Sequence, residues 1–324
     1  MVTDYLTPIV EQRYRATLNI DPGDPAIGDA ATTGLHWMLG WNLKKNDELG
    51  VDSHPARGDF LPPVPLPRRM WAGSQIKVKA PLRVGDKVIK KSKVADIKLK
   101  EGRTGKLCFV TAEYEYLVDD DVRLHELHNI VYRDVTKAGG GSGVSDVIPK
   151  DADFTETIFM HPTILFRYSA IGFVGHRIHY DYPYSKNEEN YPDLIVHGPL
   201  QATFLLRAAE KLKGKPVTSF NHKVMAPVFA NSDYIIGAKK NTDGNIMTDS
   251  QGRFILSKSR LVDTHKKQTL ELVDDVLNDV LFGGGFITGR KATDLGLSSQ
   301  KPGRVPFEKT YRGCLLYTSD AADE

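Results

Sequence analysis

The sequence predicts an α+β protein built from two sheet-and-helix units in tandem. Three observations carry this expectation: a glycine-rich run divides the 324-residue chain near its middle, strand-like alternation fills the segments before it, and a strand-end motif recurs after it. The length, about twice a common domain of roughly 150 residues, leaves room for two cores.

Before the divide, Gln75–Lys79 and Leu107–Tyr116 alternate with the period of two expected of strands. Val88–Lys100 runs into Glu101-Gly102-Arg103-Thr104-Gly105, the turn of a long hairpin. The divide itself is Ala138-Gly139-Gly140-Gly141-Ser142-Gly143, which has nothing to bury and reads as a linker. Beyond it, Pro199 suits a first helical turn, and Leu200, Phe204, Leu205, Ala208, Ala209 and Leu212 recur at helical spacing up to a stop at Gly214. Strands are expected at Ser219–Met225, Tyr234–Lys239 and Phe254–Val262. Lys77–Asp86 resembles Lys223–Asp233, with Ala80-Pro81 and Ala226-Pro227 lying 146 positions apart. The expected boundaries are therefore 1–136, a linker at 137–150, a second unit at 151–265 and an unassigned tail at 266–324. Leu270–Leu281 could form a short helix there, and the closing run 314–324 reads as translated adapter sequence with no functional meaning.

Composition excludes several classes. A net charge of +2 gives no electrostatic drive toward nucleic acid or a membrane surface, and no apolar run reaches the ~20 residues of a bilayer span. The two cysteines, Cys108 and Cys314, form neither a disulfide framework nor a zinc ribbon. Asp4 and Glu11 lie where transit peptides avoid acids, so a cytoplasmic location is expected.

The densest polar segment is Phe166-Arg167-Tyr168-Ser169-Ala170-Ile171-Gly172-Phe173-Val174-Gly175-His176-Arg177-Ile178-His179-Tyr180-Asp181, followed by Val196-His197-Gly198-Pro199. An imidazole that titrates near neutrality can move protons, and the free amides at a helix start can hold a carbonyl oxygen as charge develops on it. Addition of water to an α,β-unsaturated thioester needs both parts. His176, His179 and Asp181 could also suggest a metal site, but no second ligand cluster accompanies them, so neither metal nor other cofactor is expected. Gly284–Gly289 mimics a phosphate loop without its lysine and hydroxyl in register.

These two segments, together with Pro55–Gly73, resemble the MaoC-like and fatty-acid-synthase-type dehydratases. Within them the likeness is to the group of mesaconyl-CoA and itaconyl-CoA hydratases and type 2 hydroxyacyl-thioester dehydratases. The resemblance covers roughly residues 1 to 262 and implies a double hotdog, in which antiparallel sheets wrap long helices. It further implies a hydro-lyase acting on an acyl-CoA or acyl-carrier thioester, with a C4–C5 dicarboxylic acyl group among the candidates. By the family pattern, His179 is the water-activating histidine and Gly198 the helix-start amide. The polar residue expected five positions before that histidine is Val174 here, and His176 or Asp181 would have to replace it. Arg167, Tyr168, Ser169 and His197 are candidate pocket residues, and Arg57, Arg68 and Arg69 candidate contacts to phosphate or carboxylate. If residues 167–169 lie on a strand, alternation would turn some of them to solvent. Pro62–Pro67 would occupy the place of a helix in the first unit, leaving that unit without its own active site. A homodimer is expected. A thioesterase, or an acyl-thioester binding protein favoured by Val174, is the alternative.

Overall fold

The computed structural model describes residues 1–102, 105–134, 152–224, 227–240, 246–252 and 255–260. The linker at 137–150, the tail from 266 and the expected helix at Leu270–Leu281 lie outside them. In chain order the first half carries β1 (Val2–Tyr5), α1 (Pro8–Thr17), β2 (Arg68–Val78), β3 (Lys87–Gly102), β4 (Gly105–Val118) and β5 (Asp121–Arg133). The second carries β6 (Phe154–Phe159), α2 (Pro162–Ile171), α3 (Tyr182–Asn187), α4 (Gly198–Lys213), β7 (Ser219–Lys223), β8 (Asp233–Lys240), β9 (Ile246–Gly252) and β10 (Ile255–Arg260).

All ten strands join one antiparallel sheet in the order β1-β3-β4-β5-β2-β7-β10-β9-β8-β6. Read inward from either end, the two halves have the same order, as a duplicated unit produces. The repeated strand-end motif falls where this symmetry requires, between β2 and β3 and between β7 and β8. The halves meet edge to edge at β2 and β7, paired from Gly73↔Lys223 to Lys77↔Ser219. At this seam Gly73 has φ 139°, and a Cβ there would lie 2.1 Å from the His222 carbonyl oxygen, so only glycine permits the approach. This is the double-hotdog architecture.

Helix α4 follows its apolar stripe. Its buried face, including Leu200, Phe204, Leu205, Ala208 and Ala209, packs on β6, β8, β9 and β2. One core runs through both halves, from Tyr14 and Tyr116 to Phe220 and Tyr234. Tyr14 of α1 meets Thr203 of α4 through a 3.0 Å hydroxyl–hydroxyl bond across that core.

Pro62–Pro67 forms no helix. Val64 and Leu66 alternate inward and cover Cys108, Val110, Ile130 and Tyr132 on β4 and β5. Arg57 fastens the run by donating to the carbonyls of Val64, Leu66 and Pro67. Its guanidinium is committed to backbone.

A buried carboxylate organises the middle of the first half. Glu126 of β5 is 0% exposed and its Oε1 accepts from Trp37 (3.2 Å), His128 (3.0 Å) and the Ser74 hydroxyl, with His36 Nε2 at 3.8 Å from Oε2. Burial alone would raise its pKa, but the His128 bond and charge, with His36 and Ser74, hold it down to about 2. Glu126→Ala would orphan the donors of the buried Trp37 and Ser74 and of the half-buried His128, and we expect a loss of about 3–5 kcal/mol in unfolding free energy, read as a drop in the urea midpoint.

Candidate active site

The segment expected to carry chemistry begins on a helix. Residues 167–169 lie on α2, started by Pro162 and capped by His161, whose Nδ1 accepts from the Thr163 amide. Helical spacing buries Tyr168 and Ser169 together and turns Arg167 outward to solvent. Arg167 thus faces away from the buried Tyr168 and Ser169.

After α2 the chain turns through Gly172 to a 3-10 turn, Arg177–His179, whose N-cap is His176. Two bonds lock this turn to the strand-like segment before α4. Ile195 N–H donates to the Ile178 carbonyl at 2.9 Å, and the Ile195 carbonyl sits 2.7 Å from His179 Nδ1. A carbonyl can only accept, so Nδ1 carries the proton and Nε2 is left with its lone pair. Burial lowers the His179 pKa to about 4 against the opposing pull of that backbone bond. At neutral pH the ring is an unprotonated base.

Two further rings press on it. His197, the N-cap of α4, stacks on His179 with centroids 3.6 Å apart and planes at 20°, while His176 stands edge-on at 5.3 Å. The Ser169 hydroxyl and His197 Nε2 lie 2.8 Å apart, and the Tyr168 ring flanks His197 at 4.9 Å. Burial, then the neighbouring imidazoles, push His197 well below its ordinary value; His176 is depressed by burial and by His54 and His179. Gly198 opens α4 and is half-buried, and its N–H meets no acceptor among the described residues. A neutral imidazole and an unspent amide at the positive end of a helix thus lie side by side.

Asp181 has a local task instead. Its Oδ1 accepts from the Tyr184 amide as the N-cap of α3, and its Oδ2 holds Arg177 at 2.8 Å. Both oxygens are engaged, which removes Asp181 as the stand-in for the polar residue missing at Val174. His176 alone of the two candidates touches His179.

Arg68 and Arg69 diverge as neighbours on a strand must. Arg68 is buried, pairs with Glu189 at 2.9 Å and lies over the Tyr191 ring, fastening the 182–191 segment to β2. Its charge is thereby engaged within the fold. Arg69 lies on the site side, 3.5 Å from Asp52, and its Nε is buried without a hydrogen-bond partner.

Two contributors were not read from the sequence. The loop around Asp52–Pro55 from the first half docks on the 176–179 segment: Arg177 N–H donates to the Asp52 carbonyl at 3.1 Å, and the His54 ring contacts His176 at 4.2 Å. Trp71, beside the bulge in β2, lies against Gly198. Both belong to or adjoin the Pro55–Gly73 block that carried the resemblance, which was the one available signal.

Comparison with known proteins identifies the family. Residues 34–230 match the family of hydroxyacyl-thioester dehydratase type 2. Mesaconyl-C(4)-CoA hydratase of Chloroflexus aurantiacus is 36% identical over 237 residues, 73% of this chain and 84% of that protein. The mitochondrial hydroxyacyl-thioester dehydratase type 2 of Schizosaccharomyces pombe is 34% identical over 91 residues, 27% of this chain and 30% of that protein. Among solved structures, a MaoC-like dehydratase from Phytophthora capsici superposes with a TM-score of 0.59 at 14% identity, over 82% of this chain and 95% of that one, a likeness of fold. Fold and relatives make this protein a hydro-lyase of acyl thioesters. The chain belongs to the hydroxyacyl-thioester dehydratase type 2 family.

Proposed function

We propose that His179 Nε2 takes a proton from water as the oxygen adds to the β-carbon of an enoyl thioester. The charge that arrives on the thioester oxygen is held by the Gly198 N–H at the start of α4. Returning a proton to the α-carbon completes hydration, and the reverse sequence is dehydration. The observation that carries this reading is the 3.6 Å stacking of His179 on His197, the residue whose peptide bond supplies the Gly198 amide. Base and oxyanion donor are thereby neighbours on two segments tied together by the Ile178–Ile195 and His179–Ile195 bonds.

His176 is proposed as the second polar contact for the attacking water, in place of the side chain that Val174 lacks. His176→Ala should lower turnover by less than His179→Ala does, with KM little changed, in steady-state assays of both variants. An unchanged rate would remove it from the reaction.

The substrate we favour carries a second carboxylate, as in C4–C5 dicarboxylic acyl-CoA. Support comes from the relative named for mesaconyl-C(4)-CoA and from Arg69, a part-buried cation whose charge is felt by His54 and His176 and whose ion pair with Asp52 is long, at 3.5 Å. A panel of mono- and dicarboxylic enoyl-CoA and hydroxyacyl-CoA substrates tests this. Loss of enoyl absorbance without free thiol is expected, whereas release of thiol would indicate a thioesterase.

Gly198→Ala gives a further test, since the added methyl would meet Trp71 at 2.1 Å and displace the amide. We expect kcat to fall about 10²-fold, the order seen when an oxyanion donor is lost. Steady-state kinetics on the folded variant measures it.

A further inference from the structure

The start of α4 leans on an aromatic ring from the other half of the chain. A methyl group on Gly198 would lie 2.1 Å from Cε3 and 2.9 Å from Cζ3 of Trp71, so the indole fills the space where a side chain would project. Trp71 gets there through a bulge in β2, where the register against β5 shifts between Trp71 and Gly73. Its Nε1–H donates to Ser74 Oγ at 3.2 Å, and the Ser74 hydroxyl donates in turn to the buried Glu126. The ring stacks on His222 at 5.1 Å, with His128 at 5.6 Å and Trp37 at 6.0 Å around it. Trp71 is thus held by packing and by a polar tether, with its ring against the half-buried Gly198.

The first amide of a helix has no intrahelical bond to hold it, and glycine adds no side chain to anchor it. A donor that stabilises developing charge must nevertheless be fixed before the reaction begins, within about 0.5 Å. We infer that Trp71, tethered through Ser74 to Glu126, is the positioning residue for the Gly198 amide. The first half of the chain then takes part in catalysis without supplying a reacting group. This inference rests on the reading of Gly198 as the oxyanion donor.

The test pairs infrared difference spectra of bound butyryl-CoA, labelled at the thioester carbonyl, with steady-state kinetics on an enoyl-CoA substrate. Wild type, Trp71→Leu, Trp71→Phe and Ser74→Ala are compared, with melting curves to confirm folding. In wild type the carbonyl band should lie below its position in solution. Trp71→Leu should return it toward that position and lower kcat about 10- to 100-fold, with KM changed much less. Trp71→Phe should recover part of both, and Ser74→Ala should give a smaller change of the same sign. If Trp71→Leu does not fold, Ser74→Ala and Trp71→Phe decide. A wild-type band shift that persists unchanged in the folded variants, or a rise in KM alone, overturns the inference and leaves the Gly198 reading standing. An unshifted wild-type band overturns that reading and the inference with it.

Discussion

His179→Ala should lower turnover of an enoyl thioester by about 10²- to 10⁴-fold, the contribution of a positioned general base, while the chain remains folded. The ring is 8% exposed and makes its one hydrogen bond through Nδ1, to the Ile195 carbonyl, so the substitution deletes the base without stranding a donor. The carbonyl left behind retains the Ile178–Ile195 backbone bond beside it as a brace. With a pKa near 4 in the folded protein, His179 stays unprotonated from neutrality down to about pH 5, so any decline of kcat/KM above that pH should follow loss of the fold and not titration of this ring. Initial rates from the loss of enoyl absorbance measure both effects. Retention of more than about a tenth of wild-type turnover would show that His179 is not the base.

Acid should unfold the protein well above the pH at which its active-site base is lost. Five buried histidines, His36, His176, His179, His197 and His222, all have their pKa depressed by burial, with His36 near 4 and His222 near 3. In the unfolded chain each would titrate near 6.5. Below that value the unfolded state binds protons that the folded state refuses, so stability falls with falling pH, from about 6.5 down through each folded value. Between pH 7 and 5.5 each ring costs on the order of 1 kcal/mol, and five together rival the ~5–15 kcal/mol of a typical domain. Glu126 acts in the same direction at lower pH, since its depressed pKa stabilises the fold above the ordinary carboxylate range and that stability is lost toward pH 2. Urea midpoints at pH 7.5, 6.5 and 5.5 should drop steeply. Equal midpoints across that range would mean the rings titrate freely in the native state.

Local pattern made much of the fold legible. The hairpin turn near Gly102 to Gly105, the α4 stripe from Leu200 and the repeated strand end all act over short spans, where period and turn chemistry speak directly. Helix α2 was hidden because Arg167-Tyr168-Ser169 invites an alternating reading; Pro162 at its first turn was the neglected sign. His179 and Gly198 stood out through a resemblance of motif. His54, Trp71 and Glu126 did not, because their significance lies in contacts made across the two halves or deep in the sheet. No periodicity encodes such contacts. Asp181 looked catalytic by proximity in sequence, yet its capping bonds to Tyr184 and Arg177 satisfy it locally.

The β2–β7 seam also limits how this protein can be taken apart. Each half, if produced alone, would present the bare main-chain N–H and C=O groups of what is normally an interior strand, a template for indiscriminate pairing. Truncation to the half bearing His179 would therefore yield a sticky fragment instead of a minimal enzyme.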